Sequence, residues 1–274
     1  MSVEAGGTGA DRDATPTPEV PALSGLSASF QNYLKAMWTL QEWTDEPVSP
    51  TALAERVGVK LPTASDAVRK LGRLGLVDYE RYGSVTLTDA GRALALEMVR
   101  RHRLLETFLV EVLGYRWDQV HDEAESLEHA VSEFMIDRID GKLGHPERDP
   151  HGDPIPRAGG DPTLRGVVLL TGVETGRRVT VERISDDDPE LLQFFAGHGI
   201  GVGSELQLRP GAPFSDSVEV IVLDGGPGTD DADGEKGADD KGGAGDANGT
   251  GGAAGAALPL GRTATDAIWV TPRG

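Results

Sequence analysis

Between Met98 and His129 the chain reads MVRRHRLLETFLVEVLGYRWDQVHDEAESLEH, setting three of its six histidines among regularly spaced carboxylates. His102 and Glu106 are four residues apart, His121 opens a second segment, and Glu125, Glu128 and His129 follow with gaps of three and one. On an α-helix, residues at i, i+3 and i+4 project from one face. Helix here therefore lets Glu125, Glu128 and His129 meet a single ion. Carboxylate oxygens and an imidazole nitrogen form a mixed donor set suited to a first-row divalent cation. The chain has no cysteine, which excludes disulfides, thiolate zinc sites and iron–sulfur clusters.

A second signal lies upstream. Ser27 to Trp43 carries Phe30, Tyr33, Leu34, Met37, Trp38 and Leu40 at helical spacing. Ser49-Pro50 then opens a short helix, Thr51 to Val57, stopped by Gly58, and a further helix runs from near Pro62 to about Leu74. Two short helices joined by a tight glycine turn are the pattern of a helix-turn-helix. Leu76 to Thr88 alternates, turns at Tyr82-Gly83-Ser84 and alternates again, so it reads as a β-hairpin and makes the unit a winged helix. Thr88 caps the next helix, which begins at Asp89 and continues past Leu105. In the second helix Pro62, Thr63, Ser65 and Asp66 occupy the turn that enters the major groove, where Thr63 and Ser65 can touch base edges or phosphates and Pro62 or Ala64 can meet a thymine methyl. Lys60, Arg69, Lys70 and Arg73 are candidates for phosphate contacts, and Arg81 and Tyr82 in the wing for backbone or minor-groove contacts. Tyr33, Trp38 and Trp117 read as core aromatics.

The formal net charge of −19 opposes DNA binding at long range. The excess is unevenly spread, however. Much of the acid lies in the histidine-bearing middle and in a Gly/Asp-rich tract, while Leu26 to Arg100 is close to balanced. No apolar run is long enough to cross a bilayer, and the Gly, Thr, Pro and acid-rich start reads as a disordered tail rather than a secretory signal. Trp117 to Leu143 reads as one long helix whose wide apolar face (Leu127, Ala130, Val131, Phe134, Ile136, Ile139) implies a dimer interface. His145 to Pro156 is proline-rich and ends regular structure. Beyond Gly166, five short strands are expected at Val167–Leu170, Arg178–Ile184, Glu205–Leu208, Val218–Leu223 and Ala267–Val270, with a helix around Pro189 to His198. That pattern fits a small SH3-like barrel. The low-complexity stretch between the fourth and fifth strands reads as a surface insertion.

A winged helix, then HRLLE, HDEAESLEH and HPERDPHGDPIP, then a small β domain, resembles the diphtheria toxin repressor family of metal-activated dimeric repressors. YLKAMWTLQEW and LLETFLVEVLGYRWDQVHDEAE resemble its manganese-responsive three-domain branch. The resemblance implies an α+β chain: a disordered tail (1–24), a winged-helix DNA-binding domain (25–96), and a helical dimerisation and metal-binding domain (97–145). A proline-rich linker (146–165) then leads to an SH3-like domain (166–274) with a disordered insertion at about 225–257. It further implies a regulatory metal site at Asn32, Glu125, Glu128 and His129, and an ancillary site at His102, Glu106 and His121. Asp188 is the oxygen ligand expected from the C-terminal domain, where Leu191 falls at another ligand position with Glu190 beside it. Iron-type members carry cysteine where Glu125 stands and methionine where Asn32 stands; oxygen donors at both suit Mn²⁺.

The expected function is that of a Mn(II)-activated homodimeric repressor in the cytoplasm. It binds palindromic double-stranded operators of manganese-uptake genes and has no membrane partner, no small organic substrate and no enzymatic activity. The alternatives are an Fe(II)-dependent or other divalent-metal repressor of the same family, a metal-independent winged-helix regulator, and a metalloenzyme, for which no HExxH motif is present.

Overall fold

The computed structural model describes residues 21–43, 47–79, 83–157, 166–225 and 256–273. They divide into two compact units, one ending at Leu96 and the other beginning at Glu97. The expected N-terminal tail and almost all of the expected insertion lie outside the described residues.

In the first unit, α1 (Ala28–Glu42) begins where Ser27 Oγ accepts the Phe30 N–H at 3.3 Å. The next helix, α2 (Pro50–Arg56), begins where Ser49 Oγ accepts the Ala52 N–H at 3.1 Å, with proline in its first turn. Each hydroxyl satisfies an N–H that the helix itself cannot. The third helix, α3 (Leu61–Arg73), buries Ala64, Ala67, Val68 and Leu71 at helical spacing and leaves its opposite face open. Strands β1 (Val77–Tyr79) and β2 (Val85–Leu87) pair antiparallel, with Val77 opposite Leu87 and Tyr79 opposite Val85. Contacts of α1 with α2 and β2, and of α3 with α2 and β1, close the winged helix. Leu34, Met37, Leu53, Val68, Leu71, Leu76 and Val85 are buried in this unit, and Tyr33 and Trp38 are buried with them, as core aromatics should be. Arg81 and Tyr82 lie outside the described residues.

The helix α4 (Asp89–Glu111) starts at Thr88, whose hydroxyl accepts the Gly91 N–H at 3.1 Å and donates to the Gly75 carbonyl at 2.8 Å. Its first turn approaches β1 so closely that a Cβ on Gly91 would lie 1.8 Å from the Leu76 carbonyl oxygen. Alanine gains about 1 kcal/mol of helix propensity over glycine, but a clash with backbone cannot be relieved by a rotamer, and overpacking typically costs about 1–3 kcal/mol. The overlap is with backbone and deep, which puts the cost at the upper end of that range, so Gly91→Ala is expected to destabilise this unit by a net of about 2 kcal/mol. Thermal unfolding checks this, and a midpoint at or above that of the parent chain would refute it.

In the second unit, Leu104, Leu105 and Leu109 of α4 pack with α5 (Val120–Leu127) and α6 (Glu133–Lys142) around Val120, Ala124, Ile136 and Ile139. The single helix expected over Trp117–Leu143 is thus a short 3₁₀ turn at Trp117–Gln119 followed by two helices with a break at 128–132. Ser132 is extended and caps the Met135 N–H at 3.3 Å, with Glu133 in the first turn. This restart signal was hidden under the apolar periodicity. Arg101 donates to the Val131 carbonyl at 3.2 Å and pairs with Glu133, so the broken backbone keeps a partner.

The C-terminal part is a six-stranded antiparallel sheet in the order β3-β8-β4-β5-β6-β7. Its strands are β3 (Val168–Leu169), β4 (Arg178–Ile184), β5 (Glu205–Pro210), β6 (Val218–Asp224), β7 (Leu258–Leu260) and β8 (Ile268–Arg273). With α7 (Pro189–Gly197) and the short α8 (Arg262–Thr265), it encloses Val179, Val181, Ile184, Leu192, Phe195, Leu206, Leu208, Val220, Ile268 and Val270. β7 was not expected from sequence. It is an edge strand, Leu-Pro-Leu, and an edge is where a strand can hold a proline.

Candidate metal centre and nucleic-acid interface

Two clusters of metal-ligand side chains form among the described residues: His102 with Glu106, His121 and Asp186, and Glu106 with Asp149 and His151, each with ligand atoms within 4.8 Å of one another. They share Glu106. α4 carries His102 and Glu106 one turn apart, with His102 Nε2 3.0 Å from Glu106 Oε1. α5 brings His121, whose Nδ1 lies 3.4 Å from Glu106 Oε1 and 2.8 Å from Asp186 Oδ2. On the other side, His151 Nδ1 lies 3.9 Å from Glu106 Oε2. One carboxylate therefore turns one oxygen to each cluster.

The imidazoles are oriented by their second nitrogens. His102 Nδ1 lies 2.7 Å from Glu128 Oε2, the carboxylate–histidine arrangement that directs Nε2 toward an ion. His151 Nε2–H donates to the Trp117 carbonyl at 2.9 Å, and its ring stacks on the Trp117 indole, leaving Nδ1 to face the cluster. Trp117 also packs partly against the β core.

The segment 146–157 gives this geometry its rigidity. Sequence reading made it part of a linker, yet Asp149, His151, Asp153 and Ile155 are buried. Asp149 Oδ1 accepts the N–H groups of His151 and Asp153, both at 2.9 Å. Arg103 of α4 donates to the Pro154 carbonyl at 2.7 Å and approaches Asp149 and Asp153, while Arg183 of β4 reaches Asp153 at 2.7 Å. Gly152, with φ near +90°, passes so close to β4 that a Cβ would lie 2.1 Å from the Glu182 carbonyl oxygen. The segment is thus pinned between α4 and β4 by buried charges.

The electrostatics are those of a cation site. Burial pushes the Glu106 carboxyl up, but the charge and hydrogen bond of His102, with His121 and His151, outweigh it and hold Glu106 well below the usual carboxylate range. Burial disfavours charge on His121, yet hydrogen bonds and attraction from Asp186 and Glu106 raise it to about 11. Asp186 is held low, despite burial, by His121 and His151. Asp149 is pushed well up by burial and by the negative charges of Asp153 and Glu106. Glu106 Oε1, His121 Nδ1 and His151 Nδ1 are buried, and each lies within 4 Å of an opposite charge. Carboxylates and imidazoles that share protons in so small a buried space can exchange those protons for one divalent cation.

The expected ligands are distributed unequally. His102, Glu106 and His121 come together. Asp188 does not join them: its Oδ1 caps α7 by accepting the Glu190 and Leu191 N–H groups at 3.0 and 3.2 Å. Asp186, two residues earlier in the same aspartate run, takes the place proposed for it. Glu125, Glu128 and His129 are not gathered into one cluster. Glu128 is fully buried against His102, His129 Nε2 lies 3.5 Å from Glu128 Oε1, and Glu125 approaches His121 at 3.8 Å. Asn32, in the first unit, has a buried Oδ1 with no hydrogen-bond partner. Sequence reasoning missed Asp149, His151 and Asp186. The first two lay in plain view in HPERDPHGDPIP, but its prolines signalled a connection rather than a site.

In the first unit, Lys60, Pro62, Thr63, Arg69, Lys70 and Arg73 are exposed along α3 and Ser65 is half-buried. Proline at the helix start leaves an open N-terminal turn, the end that enters a major groove.

A winged helix-turn-helix, a buried His/Glu/Asp centre and an SH3-like sheet define a metal-dependent DNA-binding regulator. Residues 25–85 match the iron-dependent repressor N-terminal DNA-binding domain, residues 88–157 the iron-dependent repressor metal binding and dimerisation domain, and residues 168–228 the FeoA domain. The chain is 34% identical to the iron-dependent repressor IdeR of Mycobacterium leprae over 180 residues, covering 60% of this chain and 77% of that protein. It is 31% identical to the diphtheria toxin repressor of Corynebacterium glutamicum over 196 residues, covering 68% and 86%. Among solved structures it resembles a manganese-dependent transcriptional repressor in complex with manganese, at 47% identity and a TM-score of 0.75, covering 89% of this chain and all of that one. The chain belongs to the diphtheria toxin repressor family and is a metal-dependent transcriptional repressor, not an enzyme. No helix among the described residues is long and apolar enough to cross a membrane.

Proposed function

We propose that this repressor is a cytoplasmic homodimer activated by Mn(II), and that it binds palindromic operators of manganese-uptake genes. The observation that carries the metal is the donor set: both clusters offer carboxylate oxygen and imidazole nitrogen only, and the chain has no thiol. Such donors suit Mn²⁺ better than sulfur does, although geometry and availability decide among divalent ions. The manganese complex of the structural relative agrees with this. The names of the curated relatives favour iron as the second reading.

His102, Glu106 and His121, with Asp186 in place of the expected Asp188, form the ancillary site, and Asp149 and His151 extend it. Glu125, Glu128 and His129, with Asn32, are the residues that the family resemblance assigns to the regulatory site, and the first three are not gathered into one cluster here. When bound, the cation supplies the positive charge that lets closely packed carboxylates coexist. Glu128 belongs to the regulatory set and orients His102 of the other, so the two sites are linked through one side chain. Metal that binds the DNA-competent form more tightly shifts the population toward it. Exposed Phe134, Met135, Val112 and Leu113 provide the apolar surface for the dimer, which presents two copies of α3 to related half-sites.

Metal-stripped chain titrated separately with Mn²⁺, Fe²⁺ and Zn²⁺ tests this, using a duplex recovered from a randomised pool by the Mn²⁺-loaded chain. Mn²⁺ should tighten binding about 5- to 150-fold, the range of ordinary couplings. Equal affinity with and without chelator would end the metal-activated reading, and a response to Fe²⁺ but not Mn²⁺ would transfer it to iron.

A further inference from the structure

The exposed face of α3 has an acid at its centre. Asp66 is flanked one turn toward the N-terminus by Pro62 and Thr63 and one turn toward the C-terminus by Arg69 and Lys70. Its carboxylate binds both cations: Oδ2 lies 2.8 Å from Lys70 Nζ and Oδ1 accepts from Arg69 Nη2 at 3.3 Å. The three side chains remain about half exposed. A carboxylate on a surface meant for a phosphate-lined groove opposes binding unless it meets a donor there.

We propose that Asp66 is a specificity-determining residue that reads cytosine in each operator half-site, with Arg69 and Lys70 as its built-in counter-charges. This rests on α3 being the DNA-reading helix. A carboxylate only accepts hydrogen bonds. In the major groove guanine shows two acceptors, N7 and O6, and thymine shows O4 and a methyl group. Adenine sets its N6 donor beside its own N7 acceptor, and cytosine is the base whose own edge shows a donor, N4, and no acceptor. Asp66 therefore favours cytosine and opposes the other three bases at the position it faces. Lys70 and Arg69 hold its carboxyl below the usual range, so it meets the groove as an anion. Through the same ion pairs the carboxylate restrains Arg69 and Lys70, keeping both near the groove wall where phosphates lie.

The test is duplex selection from a randomised pool by the Mn²⁺-loaded full chain and by its Asp66→Asn and Asp66→Ala variants, followed by affinities for single-base variants of the recovered site. Wild type should demand cytosine at one symmetric position per half-site. Both variants should lose that demand, narrowing discrimination there by about tenfold, while the other positions keep their preferences. If instead both variants select the same site and bind every duplex more tightly by one factor, Asp66 only damps charge and the proposal fails. It fails equally if the variants are indistinguishable from wild type. A wild type that selects no sequence at all would overturn the DNA-reading assignment itself, a result separable from either of these.

Discussion

Glu106→Gln should weaken metal binding at both clusters at once, in isothermal titration with Mn²⁺, by at least about the 10- to 100-fold typical of lost supporting groups in metal sites. Glu106 is 1% exposed and is the only side chain common to the two clusters. Its Oε1 faces His102 and His121, and its Oε2 faces His151. An amide keeps the shape but removes the charge that balances those imidazoles. Breaking a buried charge pair by removing one partner costs about 3–5 kcal/mol, so the metal-free variant should also melt earlier. His151→Gln serves as the control, because it touches one cluster only and should spare binding at His102, Glu106, His121 and Asp186. Unchanged stoichiometry and affinity in Glu106→Gln would show that the two clusters do not depend on this carboxylate.

The second large effect is expected at Glu128. It is fully buried, and its Oε2 sits 2.7 Å from His102 Nδ1. Glutamine there exchanges a charge-assisted hydrogen bond for a neutral one of roughly half the strength and no longer fixes the imidazole with Nε2 turned to Glu106. The proposed regulatory site loses a ligand and the ancillary site loses an orienting group by the same substitution. Mn²⁺-dependent tightening on DNA, about 5- to 150-fold in the parent chain, should vanish in Glu128→Gln, while the weak metal-free affinity is retained. Fluorescence anisotropy with and without Mn²⁺ separates these terms. A variant that responds to Mn²⁺ like the parent would remove Glu128 from the regulatory mechanism.

The legibility of the site followed how local its geometry is. His102 and Glu106 share one uninterrupted helix, so spacing alone aligned them. Glu125, Glu128 and His129 were read on the same logic, but α5 ends at Leu127, and past that point i, i+3 and i+4 no longer describe one face. Asp186 and Asp188 differ by two positions in a run of three aspartates. Only the local backbone decides which of them caps α7 and which turns toward His121. The strand β7 escaped notice because three residues with a central proline carry no alternation to detect.

What the sequence by itself determined were the features set by neighbours along the chain: serine-capped helices, a recognition helix with an open N-terminal turn, a hairpin, an alternating β region and the one-turn His/Glu pair. Their causes are period and capping, and both are written locally. Tertiary structure alone decided that a proline-rich stretch would be buried by Arg103 and Arg183, and that Asp149 and His151 would meet Glu106 from a distant part of the chain. It also decided that Glu128 would turn to His102. Those outcomes depend on where buried charge finds its counter-charge, a condition met in space and not along the sequence.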